Sequence, residues 1–290
     1  VFKFFKLRVF PAIRVHVWGG FGSQLFALVI AERLQSKSRF RRIEIIFHTS
    51  GVTERKLEIP VLWLTEFRTI IIEDFPNQSH EDLTADKKVY CLKMRQKLRG
   101  LLLKLGLTAT SNSEMEFSSL KPWVLSIRGH YTEINLKESE ILDLMQKFEL
   151  STETPQLRVI AIHYRLGDLL ELEEKGFVSP NRIIKTLESS MGSNLPLRVF
   201  SDSTQCDFNE LWQGADGPEI WEFSNLSPIQ TVQSCFIAKE FLGTNAKLSL
   251  WIALFRSMVS RYPTFVPTEI QHQINTLFKL QTTSNSINVY

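Results

Sequence analysis

Residues 158–170, RVIAIHYRLGDLL, limit the fold more than any other stretch of the chain. Val159 to Ile162 is an unbroken apolar run, the pattern of a strand covered on both faces. Such strands belong to parallel sheets sandwiched between helices, so the run predicts an α/β fold. It stops abruptly in His163, Arg165, Gly167 and Asp168. Open α/β sheets bind ligands beyond the carboxyl ends of their strands, so this polar tip reads as an anion site with an orienting acid. Arg165 is the expected anion ligand, because its planar fork of donors matches phosphate oxygens. The plainer alternative is that Arg165 and Asp168 pair with each other across a Gly167 turn.

The rest of the chain supplies the alternation that such a sheet needs. Ile13–Trp18 reads as a strand and runs into Gly19, Gly20 and Gly22, after which Leu25, Phe26, Leu28, Val29, Ala31 and Leu34 recur at helical spacing. A glycine loop opening a helix lets backbone N–H groups approach an anion or a sugar closely. The loop is not a dinucleotide fingerprint: a third glycine would fall at Leu25, and no Walker lysine follows. A nicotinamide reading would lean on Glu44 instead. Arg42–Phe47, Arg68–Ile72 and Trp123–Arg128 read as further strands, residues 108–116 as loop, and Lys137–Leu150 as a helix. The polar connection STETPQ at 151–156 suggests a domain boundary, giving domains 1–152 and 153–290 with the last helix free to pack back on the first. Beyond it come helix Asn181–Ser189, strand Arg198–Phe200 tipped by Asp202, helix Asp207–Trp212, strand Glu219–Phe223, helix Ile229–Ile237 and strand Glu240–Leu242. Thr244 and Asn245 read as N-caps of a helix from Lys247 to Met258, whose first N–H groups could meet a phosphate. A break at Pro263–Pro267, a helix Glu269–Lys279 and a polar tail complete the chain.

At 290 residues and 43% hydrophobic, the chain can fill two α/β domains. A net charge of +3 suits an anionic substrate and falls short of a dedicated nucleic-acid binder. Three widely spaced cysteines, Cys91, Cys206 and Cys235, build neither a disulfide framework nor a zinc motif, and favour a reducing compartment. No apolar run has membrane-spanning length, and the opening VFKFFKLRVF is too interrupted for a secretory signal. The expected location is therefore the cytoplasm, or the Golgi lumen had an anchor once preceded the chain. Lys87–Lys104 carries seven basic residues and no acid, interleaved with leucines. Its sharper reading is a peripheral membrane contact; the preferred one is a solvated helix face with its leucines on the core.

Five stretches in order, residues 19–26 (GGFGSQLF), 127–131 (IRGHY), 162–169 (IHYRLGDL), 200–203 (FSDS) and 235–253 (CFIAKEFLGTNAKLSLWIA), resemble the motifs of the α1,2-fucosyltransferase family. Ser23 stands where that family usually has Asn, and Leu166 where it usually has a second Arg. The resemblance implies a GT-B-like fold, two Rossmann-like domains facing a cleft, and inverting transfer of a sugar from a nucleotide-sugar donor, GDP-fucose foremost, to a glycan hydroxyl, with no cofactor and no essential metal. It implies Arg165, His163 and Asp168 as catalytic residues, and Gly20, Gly22, Arg165, Asp202, Thr244, Asn245 and Ser249 on the donor. Gln24, His130 and Tyr131 fall to the acceptor. The general base stays open among His163, His130, His16 and Asp168, as do two other readings: a non-catalytic nucleotide-sugar or glycan-binding module, and an NAD-dependent oxidoreductase.

Overall fold

The computed structural model describes residues 11–37, 41–50, 54–74, 97–98, 101–102, 104–110, 123–129, 131–132, 134–151, 157–167, 178–190, 195–212, 220–259, 263–277 and 287–290. The chain divides into two compact units, Val1–Ile134 and Asn135–Tyr290. Each is built on a parallel sheet, so the fold is α/β with two Rossmann-like units.

In the first unit the elements are β1 (Ile13–Val17), α1 (Phe21–Lys37), β2 (Ile43–His48), β3 (Arg68–Ile72), β4 (Thr108–Thr110) and β5 (Ser126–Arg128), with a 3-10 turn at Val61–Leu64. The sheet runs β3-β2-β1-β5-β4, with every pairing parallel. All six residues of β2 are buried, as its apolar run requires, and α1 buries twelve residues from Phe21 to Leu34. The polar stretch read as loop at 108–116 begins instead with β4, because an edge strand needs only one face covered; Thr108 is buried and bonds Ser126 at 3.1 Å. Most of Lys87–Lys104 lies outside the described residues. Within it Leu98 and Leu101 are 58% and 52% exposed, so these two leucines do not pack on a core as the preferred reading had them.

The second unit contains α2 (Glu138–Lys147), β6 (Leu157–His163), α3 (Pro180–Ser190), β7 (Leu197–Phe200), α4 (Gln205–Trp212), β8 (Ile220–Ser224), α5 (Pro228–Ile237), β9 (Ala238–Gly243), α6 (Lys247–Ser257), β10 (Thr264–Val266), α7 (Thr268–Leu277) and β11 (Ile287–Val289). Its sheet order, β11-β10-β9-β6-β7-β8, is the doubly wound order with the reversal between β6 and β9. The organising run is therefore the central strand. Ile160, Ile162, Tyr164 and Leu166 feed one core cluster with Ile183, Val199, Phe208 and Leu242. Leu166 is buried there, and this is what an apolar residue does at a position where the resembled family carries a cation. The proline break and the polar tail each contain a strand: β10 pairs with β9 and β11, and the prolines bracket it at its ends, where no ladder N–H is lost.

The second unit starts at Asn135 and not in the 151–156 connection. Expected at the end of the first domain, α2 packs instead against α6, with the Phe148 ring 5.4 Å from Phe255 and the Phe148 carbonyl accepting from Gln233. The last helix, α7, likewise packs on α6 within this unit.

Candidate active site

The strand order reverses between β6 and β9, the place where open α/β sheets bind ligands beyond the carboxyl ends, and the loops there are tied together by specific bonds. Thr244, just past β9, donates its N–H and its hydroxyl to the His163 carbonyl at 3.1 and 2.9 Å and accepts the Arg165 N–H at 3.1 Å. From the tip of β7, Asp202 accepts the Leu166 and Gly167 N–H groups on one oxygen at 2.9 and 3.0 Å. Gly167 is required for that approach, since a Cβ there would lie 2.6 Å from the other Asp202 oxygen. A three-way clamp thus fixes the backbone that carries Arg165.

Several residues expected on the donor take part in this clamp or lie beside it. Thr244 is not an N-cap: the cap of α6 is Ala246, without a side-chain bond, and Thr244 is buried as a bridge between strands. Fully buried Ser249 is the partner of His163, with its hydroxyl 2.7 Å from Nδ1. Asp202 holds the loop. Half-buried Asn245 sits between Thr244 and the cap. Asp168 lies outside the described residues, and with it the alternative pairing to Arg165. His163 is kept uncharged chiefly by burial, with Arg165 adding to the effect and Asp202 opposing it, and its pKa falls to about 4.

One functional candidate escaped the sequence. Lys247, the first residue of α6, is pulled down to about 8 by burial first and by the Arg165 guanidinium second. Arg165 thus lies close enough to Lys247 to act on its ammonium, and Lys247 opens the 11-residue helix α6. The 82-residue separation and the bland context of Lys247 leave no local signal for this pairing.

The first unit has its own polar cluster at the carboxyl ends of β1, β2, β3 and β5. His16 Nδ1 lies 2.8 Å from His48 Nε2, and His48 Nδ1 lies 2.7 Å from Asp74 Oδ2. Ser50 N–H donates to the other Asp74 oxygen at 3.0 Å, and Trp18 stacks on His48 with ring centroids 4.3 Å apart. Burial, then Arg128, His48 and Arg14, bring His16 down to about 3. Desolvation acts on Asp74 in the opposite sense, yet the bonds from His48 and Ser50 hold its carboxyl below the usual range.

Nearby lie three further expected site residues, each held by the protein's own structure. Gln24 is buried with both amide atoms engaged: Nε2 donates to Lys56 O at 2.8 Å and Gly19 O at 3.2 Å, and Oε1 accepts from Glu58 and Ile59 N–H. It staples the 56–59 segment to the glycine loop. Tyr131 is buried, with its hydroxyl 2.6 Å from His16 O and 3.0 Å from Ile127 O, and burial pushes its pKa up. Gly22 lies inside the first turn of α1 and is buried, so the open loop is only Gly19 and Gly20. Gly19 needs its φ of +89°, and Gly20 sits under the Arg55 and Glu58 side chains. His130 lies outside the described residues. Glu44, the acid a nicotinamide site would use, is near the amino end of β2, ringed by Arg14, Arg42 and Arg68 at 3.3, 2.9 and 3.5 Å, and so sits at the wrong end of the sheet for ribose. Among the described residues, no three His, Cys, Asp or Glu side chains converge as metal ligands.

No family model matches the sequence, and no curated protein matches it. Several solved structures are similar in fold at low identity. The dodecameric glycosyltransferase TibC of enterotoxigenic E. coli H10407 is 12% identical with a TM-score of 0.41; the match covers 90% of this chain, which spans only 59% of TibC. The fucosyltransferase NodZ of Bradyrhizobium is 12% identical, with 85% of this chain and 94% of NodZ covered and a TM-score of 0.40. The UDP-GlcNAc 2-epimerase of Neisseria meningitidis is 8% identical, with 95% and 88% covered and a TM-score of 0.44.

Proposed function

We propose that this chain is a glycosyltransferase whose second unit holds the diphosphate of a nucleotide-sugar donor. The observation that carries the reading is that Thr244, just ahead of α6, fixes the Arg165 backbone at the strand-order reversal of a doubly wound sheet. A departing nucleoside diphosphate must be neutralised as its bond to the sugar breaks, and preorganised cations and N–H groups do this without rearrangement. In the proposed reaction a glycan hydroxyl attacks the anomeric carbon from the face opposite the diphosphate, so configuration inverts. Protein cations are assigned to the leaving group, and no cofactor or metal is assigned a step. The ordered motifs resembling α1,2-fucosyltransferases support L-fucose as the sugar and GDP as its carrier. The first unit is assigned to the acceptor and the location to the cytoplasm.

The test is a thermal-shift panel of GDP, UDP, CMP and NAD, followed by GDP release from GDP-fucose. A ligand at 100 times its Kd stabilises the folded state by about 2.7 kcal/mol. GDP is expected to raise the melting temperature and NAD to leave it unchanged. Stabilisation by NAD alone would overturn the reading. GDP binding without turnover of any nucleotide sugar would instead make the chain a binding module.

Lys247 adds a pH prediction. Its ammonium is lost as pH rises through about 8 in the free protein, whereas a bound diphosphate keeps it protonated. Nucleoside diphosphate affinity should therefore fall by about tenfold per pH unit above pH 8. Lys247→Arg, whose charge is fixed, should flatten that slope. Calorimetric titrations of both proteins from pH 7 to 9.5 check it, and equal slopes would remove Lys247 from the site.

A further inference from the structure

We propose that Asp74, His48 and His16 form a proton relay in which His16 Nε2 is the general base that deprotonates the acceptor hydroxyl. The proposal rests on the glycosyl-transfer reading. It is carried by the order of the bonds, which fixes every ring nitrogen. Ionised Asp74 can only accept, so the 2.7 Å contact makes His48 the Nδ1–H tautomer. The His48 Nε2 of a neutral ring then carries no proton and must accept. The 2.8 Å contact therefore makes His16 a donor from Nδ1. Of the two unprotonated nitrogens, His48 Nε2 already accepts from His16, which leaves His16 Nε2 to receive a proton at the strand ends where ligands of such sheets bind.

The second Asp74 oxygen is fixed by the Ser50 N–H, and Asp74 N–H bonds Thr49 Oγ1 at 3.1 Å, so the carboxylate cannot turn. Trp18 stacks on both imidazoles and holds their planes within 17° and 9° of its own. The groups facing His16 are Arg14 on its own strand, His48 on β2 and Arg128 on β5. Burial first, and these groups after it, keep the ring uncharged at rest, the form that accepts a proton. In the step, the acceptor O–H proton moves to His16 Nε2 as the oxygen bonds the anomeric carbon. The carbon–oxygen bond to the β-phosphate breaks and its electron pair leaves on the diphosphate. The His16 Nδ1 proton moves toward His48 Nε2, and the His48 Nδ1 proton toward Asp74.

The test uses the full chain with [15N]histidine and long-range proton–nitrogen correlation, alongside GDP release from GDP-fucose. Both His48 and His16 are expected as Nδ1–H tautomers at pH 7–8. Asp74→Asn should reverse both, because Ser50 N–H selects the amide oxygen and turns the amide NH2 toward His48; His16 then carries its proton on Nε2. Turnover should fall at least about 100-fold in Asp74→Asn and in His16→Gln, with KM for GDP-fucose and GDP affinity little changed, the pattern of a lost base and not of a lost binding group. An Nε2–H tautomer for His16 in the wild type, or a folded His16→Gln with wild-type kcat, overturns the relay while leaving the transferase reading in place. A wild type that binds no nucleoside diphosphate overturns the transferase reading itself and the relay's task with it.

Discussion

Arg165→Ala is expected to slow glycosyl transfer by about 100-fold or more while the protein stays folded. The backbone of Arg165 is held independently of its side chain, by the Thr244 hydroxyl on its own N–H and by Asp202 on the next two. Truncation therefore removes the guanidinium and little else. What is lost is one of two cations at the crevice, and the remaining one, Lys247, changes as well: without the neighbouring charge its ammonium becomes easier to keep. That partial compensation should show as diphosphate affinity retained to higher pH, even though transfer is slow. Arg165→Lys keeps the charge and loses the bidentate fork, so it should recover only part of the rate. Transfer rate, nucleoside diphosphate affinity and melting temperature for the three proteins make the measurement. Near wild-type transfer and affinity in a folded Arg165→Ala would move the diphosphate away from this crevice.

What the sequence disclosed here was the frame. Apolar runs such as Val159–Ile162 and the alternation around Ile43–Phe47 identify strands because burial on both faces leaves few other choices, and the polar tips at His163–Gly167 and Asp202 mark carboxyl ends for the same reason. Three of the four three-residue strands were not legible: β4, β10 and β11 are too short to show a period, and the prolines flanking β10 read as a break although they fall outside its ladder. The domain boundary was placed at the most polar connection, but the packing of α2 on α6 is a long-range property that composition does not carry.

Roles within the site were less legible still. Gln24, Thr244, Asp202 and Ser249 stand in motif positions, and the structure has each of them bonding the protein's own backbone or side chains; Gln24, Thr244 and Ser249 are buried, where polar groups must be satisfied, while exposed Asp202 ties down a loop. The relay was hidden for a related reason. His16, His48 and Asp74 are 32 and 26 residues apart in sequence and meet only because β1, β2 and β3 are adjacent and parallel. A histidine at a strand end is a common sight, and only the pairing of strands shows that two of them share a proton.

Arg256→Met is expected to destabilise the second unit by about 4 kcal/mol or more, enough to lower its melting temperature by about 10 °C. Arg256 is fully buried near the end of α6, and its charge is met by carbonyls. Nη1 donates to Cys235, Phe236 and Ala238 oxygens at 2.8, 2.9 and 2.8 Å, Nη2 to Pro263 O at 2.9 Å, and Nε to Thr264 Oγ1 at 2.9 Å. The first three oxygens belong to the last turn of α5 and the first residue of β9, which follow each other without an intervening loop. A helix that ends this way leaves its final carbonyls without intrahelical partners, and its negative end points at whatever is packed there. One guanidinium from a different helix supplies the donors, and through Pro263 and Thr264 it also fixes β10 beside β9. Methionine fills comparable volume and donates nothing, so several buried carbonyls lose their partners at about 1–3 kcal/mol each, offset in part because no cation has to be buried. Arg256→Lys should fall between, since an ammonium has three donors and cannot span the same fork. Because α6 also carries Lys247, any Arg256→Met protein that remains folded at low temperature should bind nucleoside diphosphate less tightly than wild type. Chemical denaturation of the three proteins gives the stabilities directly, and a loss below about 1 kcal/mol for Arg256→Met would mean that water or neighbouring N–H groups can replace the guanidinium at the α5–β9 junction.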